Sequence, residues 1–109
     1  MKNIPDINNV RERAISNILY SMEHCMDFEK EIYQEYLDNI NKGVQKCIYD
    51  HQLQFVLYGG APTGCLPGLI EALLLLQGYC VEKVPNDGYG NKYLISIFDV
   101  NNYKYNVNK

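Results

Sequence analysis

The stretch YCVEKVPNDGYGNKYLISIF, residues 79–98, decides the fold. Its two ends, residues 79–84 and 92–98, are rich in β-branched, aliphatic and aromatic side chains, which is typical of strands. Between them, Asp87 and Gly88 form a dipeptide that commonly closes a tight hairpin. The stretch therefore predicts two strands that pair antiparallel.

A further strand and a second helix are predicted before this hairpin. Residues 53–58 form a short apolar and aromatic run that ends at a pair of glycines, which predicts a strand followed by a loop. Pro67 suits the first turn of a helix, and Gly78 can adopt the left-handed conformation that ends one. Residues 73–76 are apolar all round this helix, so we expect it to be deeply buried.

The N-terminal part is predicted to be helical, because apolar residues recur at helical spacing through residues 10–48. Asp6 is its predicted cap. An unbroken helix would measure about 58 Å, about twice the diameter of so small a domain. It must therefore break, with residues 26–28 as the predicted place, or project into a partner. Five residues of its apolar stripe are the predicted interface of a symmetric homo-oligomer: Ile18, Met22, Ile32, Tyr36 and Ile40.

The chain of 109 residues has the length of one domain. We predict a helical part at residues 6–50, a β-α-β-β part at residues 52–99 and a tail at residues 100–109. The tail alternates apolar and polar residues, so it either adds a short edge strand or stays loose. The predicted fold class is α+β, with a long N-terminal helix or helical hairpin followed by a small, mainly antiparallel sheet.

Composition and charge exclude several classes of function. Hydrophobic residues make up 47% of the chain and charged residues 21%, which is ordinary for a globular protein. Thirteen Asp and Glu outnumber ten Lys and Arg, so no general positive field would attract nucleic acid. The most apolar run, residues 69–76, is too short to span a bilayer, and no export signal follows Lys2. We expect a soluble protein that binds neither nucleic acid nor membrane.

The glycine-rich turn at residues 58–64 is the candidate ligand site. It lies between a predicted strand and a predicted helix, where backbone amides can hold a phosphate such as that of a small nucleotide. Its spacing matches neither a P-loop nor a dinucleotide-binding turn, and we favour the alternative that the turn needs glycine for its geometry. The candidate contacts are Tyr58, Gly59, Gly60, Thr63 and Gly64.

Cysteine and histidine residues offer the elements of a thiol or zinc site. Cys47 and His51 lie four apart, and His24 precedes Cys25, but this spacing fits no known zinc class. Four widely spaced cysteines without an export signal are typical of reduced thiols. Because no recognised catalytic motif is present, we expect no metal, no cofactor and no catalysis.

Four segments resemble a loose family of small tailed-phage proteins. They read INKGV at residues 40–44, FVLYG at residues 55–59, LQGYCV at residues 76–81 and KYLISI at residues 92–97. Such proteins often carry a helix that ends in Gly-Tyr and a final strand of the Tyr-x-Ile-Ser type, and several are virion components. The resemblance implies a similar fold, a phage origin, and a location in the host cytoplasm or the virion.

The residues and the resemblance together leave three hypotheses. The first is a non-enzymatic, oligomeric virion or assembly component that acts by binding. The second is a phage anti-defence protein, which would inhibit a host immune protein or sequester a nucleotide immune signal. The third is a small enzyme with a thiol or a metal, which no motif supports.

Overall fold

The computed structural model of the chain describes residues 4–60, 64–85 and 91–98. It confirms the α+β class, with two N-terminal helices followed by β-α-β-β. In chain order the elements are α1 (Ile7–Glu23), α2 (Asp27–Tyr49), β1 (Gln54–Tyr58), α3 (Gly68–Leu76), β2 (Cys80–Pro85) and β3 (Asn91–Ser96). The predicted ligand residue Thr63, the Asp87-Gly88 turn and the tail at residues 100–109 lie outside the described residues.

The N-terminal helical part breaks at residues 24–26, which overlaps the predicted break at residues 26–28 only at Met26. Helix α1 ends at Glu23, and α2 begins at Asp27 after Met26, whose backbone is extended. Asp6 is the cap residue of α1, but its side chain makes no capping hydrogen bond. Instead its backbone carbonyl accepts a hydrogen bond from the amide of Val10 at 3.0 Å. The break shortens both helices enough for them to pack within one small domain.

The three described strands form one antiparallel sheet in the order β1-β3-β2. Strand β3 is central, with Phe55 of β1 opposite Ile95 and Val81 of β2 on its other side. This confirms the predicted antiparallel pairing of the last two strands. Burial alternates along β1, where Phe55 and Leu57 face the core and the residues between them are exposed.

The core lies between the helices and one face of the sheet. Ile70 of α3 and Ile95 of β3 are fully buried at its centre. Helix α3 is not buried all round as predicted, because Leu73 and Leu74 face the core while Leu75 is 52% exposed. The helix packs on β2 and α1, and its remaining side meets solvent. Among the described residues the buried apolar side chains are Ile18, Met22, Ile40, Phe55, Leu57, Leu66, Ile70, Leu73, Leu74, Tyr93 and Ile95.

Three side chains that were predicted to face a second chain lie in the chain's own core. Ile18, Met22 and Ile40 are each at most 9% exposed. Because the helical part breaks, α1 packs on α2 and α3, and the apolar stripe is covered within the chain. Ile32 keeps 46% exposure and Tyr36 is half-buried. A partner that binds the folded chain therefore cannot contact Ile18, Met22 or Ile40.

Helix α2 approaches the sheet very closely at Gly43. A methyl group at this position would overlap the ring of Phe55, whose Cε2 atom lies 2.8 Å from the place of the methyl carbon. Both residues are buried. Glycine costs about 1 kcal/mol in a helix relative to alanine, so packing on Phe55 is the physical reason for a glycine here.

Replacing Gly43 with alanine should destabilise the protein, although alanine is the better helix former. The methyl group would force the Phe55 ring or α2 to move, and overpacking of this kind typically costs about 1–3 kcal/mol. The midpoint of urea unfolding measures the loss. Gly68→Ala in α3 is the matched control, because no atom lies within 4 Å of its added methyl group. Equal stability of the two variants would contradict the close contact.

Candidate functional site

A groove of about 1160 Å³ lies between α2 and β1. Polar, charged and aromatic side chains of α2 line one wall of the groove, and all five residues of β1 line the other. Exposed apolar or aromatic groups stand on both sides, with Ile32 on α2 and with Val56 and Tyr58 on β1. A cavity of this size matches or exceeds the usual volume of a small-molecule site, so it has room for a peptide segment.

The hydrogen bonds of β1 show which of its backbone groups are used within the sheet. The amide of Gly59 donates to the carbonyl of Asn91 at 2.9 Å, and the amide of Ile97 donates to the carbonyl of Leu53 at 3.0 Å. In an antiparallel pair, successive residues turn their backbone polar groups alternately towards and away from the partner strand. The odd-numbered residues of β1 therefore bond to β3.

The even-numbered residues of β1 form a free edge along the groove. Gln54, Val56 and Tyr58 direct their N–H and C=O groups away from β3 by this alternation. None of the three is charged and none is proline, which are the residues that usually protect an exposed edge. Among the described strands, β1 pairs with β3 alone. Within the described part of the chain, no further strand pairs with this edge.

The opposite edge of the sheet is protected. Strand β2 pairs with β3 so that Glu82 lies opposite Leu94, and the same alternation turns the backbone groups of Lys83 and Pro85 outwards. Proline has no N–H to donate, and an exposed lysine disfavours the approach of another strand. The two edges of one sheet thus differ in their capacity to bind a strand.

The three glycine amides in the described part of the glycine-rich turn already donate hydrogen bonds within the chain. The amide of Gly60 donates to the hydroxyl of Tyr36 at 2.8 Å, and the amide of Gly64 donates to the carbonyl of Gly60 at 2.8 Å. The amide of Gly59 belongs to the sheet, as described above. Because these three donors are already used, none of them is available to an anion in this conformation.

Two of the glycines have a geometric reason. A side chain at Gly59 would overlap the carbonyl of Gly64, so the two segments of the turn could not approach. Gly64 itself is buried and has a φ of 71°, a conformation that glycine adopts without strain. The other predicted contact, Tyr58, is exposed at the end of β1. The structure brings it beside the groove rather than over the turn.

The start of α3 is also unsuited to an anion. Pro67 is the N-cap residue of α3. It therefore lies just before the first turn of the helix, whereas the sequence predicted it within that turn. Glu71 supplies a negative charge in that first turn. A phosphate placed there would meet this carboxylate, which already occupies the favourable end of the helix dipole.

Tyr93 stabilises the turn from the core side. Its hydroxyl accepts a hydrogen bond from the amide of Leu66 at 3.3 Å. The side-chain amide of Asn91 donates to the carbonyl of Gly64 at 3.2 Å. Burial raises the pKa of Tyr93 above its ordinary value, and its hydrogen bond with Cys65 acts in the same direction. The turn is therefore attached to β3 by two neighbouring side chains.

Cysteine and histidine residues are dispersed. The ring of His24 stacks on Tyr20 at 3.9 Å, and Cys25 donates to the carbonyl of Met22 at 3.0 Å. His51 follows α2 in a left-handed conformation with a φ of 58°. The four cysteines, all within the described part of the chain, form no disulfide. The described residues contain no group of three or more His, Cys, Asp or Glu that could hold a metal ion.

Sequence reasoning missed the charge order along the groove. Glu29 and Glu35 line one end of its α2 wall, whereas Lys42 and Lys46 line the other end. The signal was available, because residues 35, 39, 42 and 46 recur at helical spacing and share one face of α2. What the spacing could not show is that this face borders a free strand edge.

No protein-family model, curated protein sequence or solved structure matches the chain. The described helices include none with both the length and the apolar character that crossing a membrane requires. The features that indicate a function are the α2–β1 groove and the strand edge beside it.

Replacing Tyr93 with phenylalanine should change how stability depends on alkaline pH. The raised pKa of the folded state means that its stabilising effect is complete below about pH 10 and is lost as the pH rises further. As the pH rises above about 10, the wild type should lose unfolding free energy more steeply than Tyr93→Phe, by up to about 1.4 kcal/mol per pH unit. Urea unfolding across this range measures it.

The control for this experiment is Tyr58→Phe, whose ring is exposed. It should follow the wild-type curve. If Tyr93→Phe shows the wild-type slope as well, burial of the Tyr93 hydroxyl does not control the alkaline loss of stability.

Proposed function

We propose that this protein is a non-enzymatic, oligomeric assembly component that binds other protein chains through the free edge of β1. The observation that carries the proposal is the difference between the two edges of the sheet. Lys83 and Pro85 protect β2, whereas β1 presents Gln54, Val56 and Tyr58 without protection. Natural proteins usually protect exposed edges because an open edge attracts further strands. Addition of a strand to an open edge is a common mode of protein recognition.

The surroundings of the edge support the same conclusion. Ile32, Val56 and Tyr58 are exposed beside it, and the hydroxyl of Tyr36 is close to the end of the strand at Gly60. Tyrosine supplies a large contact area with a polar tip and is enriched in protein interfaces. Backbone hydrogen bonds along β1 would provide affinity, and these side chains would provide selectivity.

The resemblance to small tailed-phage proteins supports a location for this protein in the host cytoplasm or the virion. Two of the resembling segments contribute to the walls of the α2–β1 groove, residues 40–44 through Lys42 and Gly43 and residues 55–59 throughout. We therefore propose that the protein is a virion or assembly component that works in the host cytoplasm or becomes part of the virion.

The strand edge bears differently on the two forms of the anti-defence hypothesis, inhibition of a host immune protein and sequestration of a nucleotide. A protein that inhibits a host immune component could use the same strand edge. Sequestration of a nucleotide has less support, because the amides of Gly59, Gly60 and Gly64 already donate within the chain. The strand edge therefore favours a protein partner over a nucleotide.

The purified wild-type protein should be an oligomer of defined mass without a bound nucleotide. Light scattering measures its mass, and native mass spectrometry together with ultraviolet absorbance detects any small ligand that remains bound. A monomer would contradict the proposed oligomeric role. An oligomer that carries a nucleotide would instead favour sequestration of a signal.

A further inference from the structure

We propose that the α2–β1 groove binds a second copy of this chain, with the two β1 strands antiparallel about a twofold axis at Val56. The inference rests on the proposed oligomeric function and names the partner and its orientation. It makes one continuous sheet of six strands from two sheets of three. Three properties of the groove favour a second copy over an unrelated protein segment.

The first property is the backbone of the free edge. Its outward-facing residues, Gln54, Val56 and Tyr58, are spaced evenly about Val56. Under twofold symmetry, Val56 lies opposite the partner's Val56, and Gln54 lies opposite the partner's Tyr58. Each of these pairs can exchange both of its backbone hydrogen bonds. The edge is therefore complementary to itself, and the antiparallel register with its axis at Val56 is the one that pairs all three outward-facing residues.

The second property is the side chains next to this axis. Val56 is exposed and lies beside Leu94, its register partner on β3. The twofold axis places Val56 next to the partner's Val56 on the same face of the sheet. Pairs of β-branched residues across neighbouring strands stabilise a sheet. An apolar row thus continues from Leu94 across the axis to the partner subunit's Leu94.

The third property is the charge order along α2. This helix runs opposite to β1, since Gly43 lies at Phe55 and Tyr36 reaches Gly60. Its acidic groove residues therefore lie towards the Tyr58 end, and its basic groove residues lie towards the Gln54 end. A twofold axis at Val56 brings the acidic end of each groove to the basic end of the other.

The register identifies the charges that meet. At about 1.5 Å per helical residue and about 3.4 Å per strand residue, the part of α2 above Val56 lies about two residues before Gly43. Glu35 and Lys46 lie at nearly equal distances on either side of that point. The axis therefore brings Glu35 towards the partner's Lys46, and Lys46 towards the partner's Glu35. A pairing of like charges would result if the strands were parallel.

The proposed dimer exposes only the protected edges of its sheet. In the six-stranded sheet both outer edges are β2 edges, which Lys83 and Pro85 protect. A twofold interface uses the same patch on each copy and leaves no open edge for a third chain. The geometry therefore gives a closed dimer rather than a fibre.

Val56→Pro tests the strand pairing by light scattering. Proline removes the outward N–H of Val56 and is tolerated at an edge strand, while the bonds of β1 to β3 remain. The expected result is a monomer with the circular dichroism of the wild type. Lys83→Pro is the matched control, because it places a proline at an outward position of β2. It should keep the dimeric mass.

Charge reversal on α2 tests the orientation of the two chains independently of Val56→Pro. The proposal can therefore still be tested if Val56→Pro fails to fold. Glu35→Lys should raise the dissociation constant of the dimer roughly tenfold, because two exposed ion pairs per dimer become like-charge contacts. Lys46→Glu should weaken it similarly. The double variant Glu35→Lys/Lys46→Glu should regain wild-type affinity. Within one chain these residues are eleven positions apart, about 16 Å along the helix, so they cannot pair with each other.

The outcomes separate this inference from the proposed function. A wild-type dimer that Val56→Pro dissociates, with rescue in the double charge variant, supports both. An oligomer that neither Val56→Pro nor charge reversal affects would overturn the β1 pairing and leave the oligomeric function standing. Loss of dimer without rescue would overturn the antiparallel orientation. A monomeric wild type would overturn both proposals.

Discussion

The contact between Gly43 and Phe55 is the constraint on which the candidate site depends. With no side chain at position 43, α2 lies directly on the ring of Phe55 and therefore directly over the edge strand β1. The hydroxyl of Tyr36 attaches the same helix to Gly60 at the far end of that strand. These two contacts align α2 with β1 and so define the groove between them.

The position of each strand in the sheet then decides what the groove can bind. Because β3 is central, β1 and β2 are both edge strands, and the chain protects them differently. Lys83 and Pro85 lie at outward positions of β2, while β1 has neither charge nor proline at its own. The face of α2 beside β1 carries acidic and basic side chains at opposite ends. The strand edge and the helix face together form one surface whose two ends differ in charge.

The glycine-rich turn shows why a local pattern is ambiguous. Glycines between a strand and a helix suit a phosphate site, and they equally suit a turn whose segments must approach closely. Here Gly59 lies against the carbonyl of Gly64, and the hydroxyl of Tyr36 takes up the amide of Gly60. Tyr36 is 24 residues from Gly60, so the local spacing of the glycines contains no information about this contact.

Local sequence determined the α+β class, the approximate place of the break in the N-terminal helical part and the antiparallel pairing of β2 with β3. Helical periodicity, strand composition and turn residues act over only a few positions. Only the tertiary structure decided that Ile18 and Ile40 are buried within the chain and that β1 is an edge strand of the described sheet, beside α2. The physical reason is that an apolar stripe specifies burial but not the surface that covers it. Strand order and helix packing, which involve residues far apart in sequence, make that choice.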